Sequence, residues 1–338
     1  MAELTTVTDT EAVVHDGSVV RRFDGLAPDT DQEVDGFAFR TLPDLGERLA
    51  TFATANDVHF GEEICGVIDG FDVGPTFQSE PGAPPYPEVM NRAAISEMQA
   101  LDPDVVLVKG DLTCNGTDAE YAQFLAAYAT AFGPKLVHVR GNHDGYHGGT
   151  YAAEPVQRVD LPGATLALVD TTDPGETPGR FTAEQAEWLD DLAGTADRPV
   201  LVFGHHHVWS PDSKQRPESY FGILPGSSER LVEVVARHPG ILGYFAGHTH
   251  RNRVRRISST GDRPWVEVAC VKDYPGTWAE YRVHERGVLQ VHRRISTPEA
   301  LAWSEQTRHM YADTYADYAL GSIDERCFAM LASASTPA

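Results

Sequence analysis

Five short polar segments follow apolar stretches along this chain, and each apolar stretch is typical of a buried β-strand. The segments are Asp57-Val58-His59, Gly110-Asp111, Gly141-Asn142-His143-Asp144, Gly204-His205-His206-His207 and Gly247-His248-Thr249-His250. Open α/β sheets place their sites just outside the carboxyl ends of their strands. The pattern therefore predicts that five strand-end loops meet at one edge of the fold.

Strands and helices are predicted to alternate over most of the chain. Predicted strands cover 49–56, 104–109, 136–140, 165–170, 199–203 and 241–246, and predicted helices cover 88–101, 118–132, 182–192 and 228–237. Four further strands, over 254–257, 265–269, 279–284 and 288–293, are predicted to follow without helices between them. This order indicates an α/β core whose sheet continues into antiparallel strands.

Two segments flank this core, which is predicted to span 46–297. Residues 1–45 are predicted to form a small β appendage that resembles a truncated fibronectin type III module around Leu26 to Val34. Residues 298–338 are predicted to form an aromatic-rich helical extension that either packs on the core or forms a subunit contact in a homodimer. A loop over 61–86, rich in Gly and Pro, is expected to be functional or disordered.

Composition narrows the classes of partner. The chain has 338 residues and a net charge of −23, which argues against a mainly electrostatic grip on a nucleic acid polymer or an anionic membrane. The stretch from Met1 to Thr10 lacks the basic start and apolar run of a signal peptide, and no run of about 20 apolar residues appears. The four cysteines show no zinc or disulfide spacing. We therefore expect a cytoplasmic protein that does not enter membranes.

The residue types in the five segments are those that bind hard metal ions. Asp57 and His59 are two residues apart, and just past a strand end both can reach one ion. Asp111 stands alone after its strand, as a carboxylate that bridges two ions would. Each short motif also occurs by chance, and Gly-Asp alone is ordinary turn chemistry. Their shared order and strand-end placement predict two metal ions side by side.

The set of segments resembles the calcineurin-like metallophosphoesterase superfamily, whose pattern is D-x-H, G-D, G-N-H-D/E, a strand-end His and G-H-x-H. The likeness covers about residues 49–295. The loop from Gly110 to Gly116 is similar to that of bacterial class III cyclic-nucleotide phosphodiesterases. Purple acid phosphatases, another branch, carry a metal-binding tyrosine where this chain has Cys114. The resemblance implies a four-layer αββα sandwich with a two-metal centre.

The same resemblance implies a role for each motif residue. Asp57, His59 and His250 would bind one ion, Asn142, His205 and His248 would bind the other, and Asp111 would bridge them. His205 fits the strand-end position best because it comes first after the strand, with His206 as the alternative. The ions would be Mn, Fe or Zn. His143 would contact the substrate phosphate and help the leaving group, as a general acid or as a charged hydrogen-bond donor, and Asp144 would orient His143.

The expected function is hydrolysis of a small-molecule phosphodiester, such as a cyclic nucleotide or a glycerophosphodiester, by a water or hydroxide held between the ions. A phosphomonoesterase of the same superfamily and a non-catalytic metal-binding scaffold are the alternatives. The residues expected to contact the substrate are Asn115, His143, His206 and Tyr274.

Overall fold

The computed structural model describes residues 1–68 and 70–332. Its strands are β1 (Ala2–Val7), β2 (Glu11–Asp16), β3 (Val19–Asp24), β4 (Asp31–Val34), β5 (Phe37–Arg40), β6 (Arg48–Ala55), β7 (Val105–Lys109), β8 (Leu136–Val139), β9 (Val156–Leu161), β10 (Ala164–Val169), β11 (Val200–Phe203), β12 (Ile241–Ala246), β13 (Arg253–Arg255), β14 (Trp265–Glu267), β15 (Thr277–His284), β16 (Gly287–Arg294) and β17 (Phe328–Leu331). Its helices are α1 (Tyr86–Leu101), α2 (Asp118–Phe132), α3 (Asn142–Gly145), α4 (Ala183–Thr195), α5 (Pro225–Arg237), α6 (Pro298–Thr307), α7 (Met310–Asp313), α8 (Tyr315–Leu320) and α9 (Ile323–Arg326).

Two six-stranded sheets form the centre of the fold. The first has the order β17-β16-β15-β6-β7-β8, in which β6, β7 and β8 run parallel. The second has the order β13-β14-β12-β11-β10-β9, in which β10, β11, β12 and β14 run parallel. In the first sheet, β15 and β16 extend the parallel part as antiparallel strands, as the sequence predicts.

Apolar side chains hold the two sheets face to face. Phe52, Phe203, Phe245 and Tyr281 pack between them, and the rings of Phe52 and Tyr281 stack with centroids 4.6 Å apart. Helices α1, α2 and α6 pack on the outer face of the first sheet, and α4 and α5 pack on that of the second. The expected four-layer αββα sandwich is confirmed.

Local signals account for the position of one helix and miss one strand. Helix α4 begins after Thr182, whose side chain accepts from the Gln185 amide in the predicted capping box. Strand β9 was not predicted, because Val156–Leu161 mixes charged and apolar residues. β9 forms because it pairs with β10 at the edge of the second sheet, a contact that its own sequence pattern does not indicate.

Residues 1–45 form five short strands in two small sheets. Strands β1, β2 and β3 pair antiparallel, and β4 pairs with β5. Leu4, Val14 and Phe39 share an apolar cluster with Leu289 and Val291 of β16. The segment thus packs on the edge of the sandwich, while its boundary at residue 45 and its fibronectin likeness stay predictions.

The C-terminal segment is helical only in part. Strand β17 pairs antiparallel with β16 and takes the outer edge of the first sheet, which corrects the prediction of a wholly helical extension. The backbone edge of β16 would otherwise be unpaired, which favours a sixth strand there, and the sequence pattern does not encode this non-local effect. The predicted extension also includes residues 333–338, which lie outside the described residues. The homodimer stays a prediction.

The structure also bears on membrane insertion. In the part of the chain that is described, 1–68 and 70–332, no helix is both long and apolar enough to cross a membrane. The cytoplasmic location stays a prediction.

Candidate metal centre

The predicted ligands come together where the parallel strands of both sheets end. In the first sheet, β6 ends just before Asp57 and His59, β7 just before Asp111, and β8 just before Asn142. In the second sheet, β11 ends just before His205, and β12 just before His248 and His250. Backbone hydrogen bonds join the loops: the amides of Val58 and His59 donate to the Asp111 carbonyl, and the Gly247 amide donates to the His205 carbonyl. The two sheets therefore present their polar loops to one common space.

Asp111 lies between two groups of donor atoms. Its Oδ2 is 3.4 Å from His59 Nε2 and 3.2 Å from His205 Nε2. On one side, His250 Nε2 lies 3.3 Å from Asp57 Oδ1. On the other, His205 Nε2 lies 3.1 Å from the side-chain oxygen of Asn142. These distances place Asp111 where the sequence predicts a bridging carboxylate.

Backbone conformation is unusual at five of these residues. Asp57, His59, Asp111, His248 and His250 have φ angles of 51°, 46°, 49°, 68° and 53°. Left-handed backbone costs a residue with a Cβ about 1–2 kcal/mol. Such conformations gather at functional sites, where the surrounding structure holds them in place. The loops thus accept local strain to turn these donor atoms toward each other.

Two motif glycines permit this close approach. A Cβ on Gly110 would lie 2.5 Å from His205 Nδ1, and Gly110 itself has a φ of +83°. A Cβ on Gly141 would lie 2.2 Å from Asp111 Oδ1. Both contacts are too short for any residue with a side chain, so the glycines of the second and third motifs serve the packing of the ligands.

His205 and His248 each donate from one ring nitrogen to a backbone carbonyl, as metal-binding histidines commonly do. His205 Nδ1 donates to the Lys109 carbonyl at 2.9 Å, and this fixes Nε2 as the nitrogen that faces Asp111. His248 Nε2 donates to the Phe221 carbonyl at 2.6 Å, which leaves Nδ1 as its lone-pair nitrogen. A backbone carbonyl on the far nitrogen sets the tautomer of a ligating histidine and raises its basicity.

The cluster favours positive charge at its centre. Burial opposes ionisation of Asp57, but the neighbouring His250 outweighs it and lowers the pKa of Asp57 to about 2. Burial likewise opposes protonation of His205, yet Asp111 raises the pKa of His205 to about 9. Buried carboxylates that stay ionised and draw protons onto facing imidazoles supply the field that a bound cation needs.

The donor set also fits a metal ion chemically. The side chain of His59 is 3% exposed, and within the described residues neither ring nitrogen makes a well-aligned hydrogen bond, although Glu62 Oε2 lies 3.1 Å from Nδ1 and Asp111 Oδ2 lies 3.4 Å from Nε2. Buried polar groups without a well-aligned partner are costly unless a ligand satisfies them. Ligand atoms of Asp57, His59 and His250 lie within 4.8 Å of one another, as do those of Asp57, Asp111 and His205. Oxygen and imidazole donors of this kind suit Mn, Fe or Zn.

The sequence also matches the model of a known protein family. The family model for calcineurin-like phosphoesterases matches residues 50–252, which include all seven predicted ligands. The chain belongs to the calcineurin-like phosphoesterase family. A solved dimetal phosphatase from Danio rerio shares the fold, with a TM-score of 0.55 and 16% identity over 74% of this chain and 98% of that one.

Two curated relatives of this calcineurin-like phosphoesterase are phosphodiesterases by name. A probable cyclic nucleotide phosphodiesterase of Synechococcus sp. is 26% identical over 172 residues, 47% of this chain and 62% of the relative. A glycerophosphodiester phosphodiesterase of Enterobacter lignolyticus is 26% identical over 175 residues, 47% of this chain and 61% of the relative. The chain thus spans about three fifths of the length of these relatives.

His143 lies beside the predicted ligands, but Asp144 does not orient it. The imidazole Nδ1 of His143 donates to the Cys114 carbonyl at 2.7 Å. The Asp144 carboxylate instead accepts from the amides of Leu112, Thr113 and Gly141 at 2.8 to 3.0 Å. Asp144 therefore clamps the second motif loop to the third, which corrects its expected role as the partner of His143.

Tyr274 is not in the site. Its side chain is fully buried, its hydroxyl donates to Glu3 at 2.7 Å, and Arg294 and Arg308 lie over its ring. The expected contact with substrate is therefore wrong for Tyr274, whose ring joins the C-terminal segment to β1.

Two other expected substrate contacts also face protein rather than open space. The side-chain amide of Asn115 donates to Glu120 Oε1 at 2.7 Å, next to the start of α2. His206 is fully buried, with Nδ1 accepting from the Thr171 hydroxyl at 2.8 Å and Nε2 3.2 Å from the Thr177 carbonyl. Because both nitrogens of His206 are engaged, the geometry favours His205 for the strand-end position.

Three charged side chains that the sequence pattern did not predict lie behind His59 and His250. Glu62 Oε2 lies 3.1 Å from His59 Nδ1, and Asp273 Oδ2 lies 3.6 Å from His250 Nδ1. The buried ammonium of Lys272 lies between these carboxylates, 2.7 Å from Glu62 and 3.4 Å from Asp273. One lysine thus holds the two carboxylates that back two predicted ligand histidines.

Lys272→Met is expected to weaken binding of the metal ion assigned to Asp57, His59 and His250. The two carboxylates would lose their shared cation, and outer partners of metal ligands typically contribute about 10–100-fold to affinity. Competition with a fluorescent chelator would measure the affinity for Mn²⁺. Lys135→Met, which removes a half-exposed surface ion pair with Asp102, is the control. Glu62→Gln keeps the shape if Lys272→Met does not fold, and unchanged affinity in Glu62→Gln would contradict the role.

Proposed function

We propose that this protein hydrolyses small-molecule phosphodiesters with two bound metal ions. The convergence of six oxygen and imidazole donor residues around Asp111, with His143 beside them, carries the proposal. In this assignment, Asp57, His59 and His250 would hold one ion, Asn142, His205 and His248 would hold the other, and Asp111 would be shared between them. When bound, the two ions supply Lewis acid charge that polarises the phosphoryl group and acidifies water.

The protein's own residues position the substrate and move a proton. His143 lines a cavity next to Asp111 and Asn142. The Cys114 carbonyl holds its Nδ1–H, so Nε2 is the nitrogen left for substrate. We assign His143 as the donor of a proton from Nε2 to the departing alcohol oxygen, a role that requires the imidazolium with protons on both ring nitrogens. Burial lowers the pKa of His143, so this form is favoured at acid pH. The amide of His143 also donates to Asp111 Oδ1 at 3.0 Å, which fixes the imidazole relative to the proposed bridging carboxylate.

A diester substrate is favoured by the cavity and by the named relatives. Among the described residues that line the cavity there is no lysine or arginine. A monoester carries a second negative charge that such side chains commonly neutralise, whereas a diester carries one. The two curated relatives described above are named as phosphodiesterases. Phosphomonoester hydrolysis and a non-catalytic scaffold are therefore the alternatives that the test must separate.

Hydrolysis of bis(p-nitrophenyl) phosphate and p-nitrophenyl phosphate tests the proposal. The protein would be stripped with a chelator and reloaded with Mn²⁺. We expect a higher kcat/KM for the diester and no activity in the stripped protein. A clear preference for the monoester would replace the proposal with a phosphatase. Inactivity on both, with two ions bound, would favour the scaffold.

A further inference from the structure

The cavity beside the proposed metal centre has an aromatic wall. Its volume is about 480 Å³, and besides Asp111 and His143 it is lined by Tyr311, Tyr315 and Tyr318 of the C-terminal segment, Phe221 and Tyr146. We propose that this wall binds a planar aromatic ester group of the phosphodiester substrate. The proposal deepens the proposed function and rests on it.

The tyrosines offer ring surfaces rather than free hydroxyl groups. The Tyr315 hydroxyl donates to Asp273 at 2.7 Å, and the Tyr318 hydroxyl donates to the Thr249 carbonyl at 2.9 Å. The Tyr146 hydroxyl is held by Asn142 at 2.6 Å and Thr177 at 3.0 Å. Since these polar ends are occupied by protein groups, a glycerol or sugar moiety finds few hydrogen-bond partners on the wall, whereas a planar ring finds aromatic faces and edges.

The wall is held in place by an unusual backbone turn. Tyr311, Ala312 and Asp313 have φ angles of 53°, 54° and 65°, although none is glycine. Left-handed backbone is unfavourable for residues with a Cβ, so surrounding contacts must maintain this turn. Gly74 of the 61–86 loop supplies one such contact, since a Cβ there would lie 2.7 Å from the Ala312 nitrogen. The turn brings Tyr311 to the cavity, and the loop packs behind it.

Aromatic surface at the cavity remains exposed in the free protein. Phe221 is 56% exposed and Tyr318 is 43% exposed, although large apolar side chains usually bury more of their area. Phe221 also stacks on the proposed ligand His248, with ring centroids 4.1 Å apart. A ring bound between Phe221 and Tyr318 would remove this surface from water directly beside the reacting phosphate.

Charge limits the rest of the substrate. Among the described residues around the cavity, Asp111 is the one carboxylate, and no lysine or arginine is present. Arg251 lies 5.0 Å from the centre of the Tyr318 ring but is paired with Glu267, so a second phosphate or a carboxylate on the substrate would find no unpaired cation among the described residues that line the cavity. The wall therefore fits a neutral aromatic group, either a simple aryl ring or a nucleobase.

Three diesters with the same leaving group and the same charge test this specificity. Phenyl, cyclohexyl and methyl p-nitrophenyl phosphate differ only in the group that remains on phosphorus. We expect kcat/KM for the phenyl ester to exceed that for the cyclohexyl ester, and to exceed that for the methyl ester about tenfold or more, in line with the usual strength of stacking on aromatic side chains. Thymidine 5′-(p-nitrophenyl) phosphate adds a nucleobase. Faster turnover than the phenyl ester identifies a nucleobase as the preferred ring, and slower turnover identifies a simple aryl group.

Variants separate the wall from the intrinsic reactivity of the esters. In Tyr318→Leu and Phe221→Leu, the phenyl-to-methyl ratio is expected to fall about three- to tenfold. Phe71→Leu is the control, because Phe71 is 71% exposed and does not line the cavity. Equal kcat/KM for phenyl and methyl esters in the unaltered protein, or an unchanged ratio in both variants, would overturn the proposal.

Calorimetry of inhibitor binding separates failure of this proposal from failure of the proposed function. If the Mn²⁺-loaded protein hydrolyses no diester, phenylphosphonate and methylphosphonate remain usable probes. Tighter binding of phenylphosphonate, lost in Tyr318→Leu, would support the aromatic wall even in a non-catalytic protein. Equal binding of the two phosphonates would overturn it.

Discussion

Asp111→Asn is expected to abolish metal retention and phosphodiester hydrolysis together. The Asp111 carboxylate lies 3.4 Å from His59 Nε2 and 3.2 Å from His205 Nε2, between the two groups of donors. Burial opposes its charge, but His205 and His143 hold the pKa of Asp111 well below its usual range, so it is a carboxylate in the folded protein. Asparagine has one neutral oxygen and cannot bridge two cations. The expected loss of kcat/KM is at least about 10³-fold.

Elemental analysis of the purified variant measures the loss of metal directly. The fold should survive, because the Asn side-chain oxygen can still accept from the His143 amide, as Asp111 Oδ1 does. Asp197→Asn is the matched control, since Asp197 lies on the surface with 75% of its side chain exposed. Two ions per chain in Asp111→Asn would show that Asp111 is not the bridging residue.

His143→Ala is expected to keep both ions and lose most turnover. The imidazole of His143 lines the cavity but is not among the proposed ligands, so the donor set stays complete. Loss of a general acid typically costs about 10²–10⁴-fold. The loss should be small for p-nitrophenol, which departs without a proton, and large for an alkyl alcohol. A series of diesters with leaving groups of rising pKa, assayed at constant pH, would measure this dependence.

The matched control for His143 lies far from the site. His238 follows α5 and pairs with Asp190 at 2.8 Å, so His238→Ala removes an imidazole without touching the cavity. Loss of metal in His143→Ala would overturn the assignment of His143 as a proton donor. A loss of activity that is equal for all leaving groups would instead assign it to binding of the phosphate.

The sequence predicted the fold and the convergence of the motifs because both depend on local patterns. Apolar runs that end in Asp57, Asp111 or His205 mark strand ends, and parallel strands bring such ends to one edge. The assignment of the ligands to two ions followed from the family resemblance. The left-handed backbone at Asp57 and Asp111 was not predictable, since it arises from contacts between loops that are distant in sequence.

The errors have a common cause in tertiary contacts. Tyr274 comes shortly after a strand-like stretch and Lys272, a position from which a ring could stack on the substrate. The direction of its side chain depends instead on contacts with Glu3 and Arg308, which are near opposite ends of the chain. The role of Asp144 depends likewise on the amides of Leu112 and Thr113 in another loop.

The aromatic wall was also out of reach of sequence patterns. Tyr311, Tyr315 and Tyr318 appeared as one face of a helical extension, which suggested packing or a subunit contact. These rings line the cavity next to a left-handed turn at Tyr311, against which Gly74 packs. Short-range periodicity does not encode such a turn, because each of its residues prefers right-handed backbone.

Titration of the stripped protein with Mn²⁺, with bound metal and hydrolysis of bis(p-nitrophenyl) phosphate measured in the same samples, is the sharpest test of a two-metal phosphodiesterase. We expect binding of two ions per chain and activity that appears only as the second ion binds. Full activity in the stripped protein, or activity that saturates with one ion per chain, would contradict this expectation.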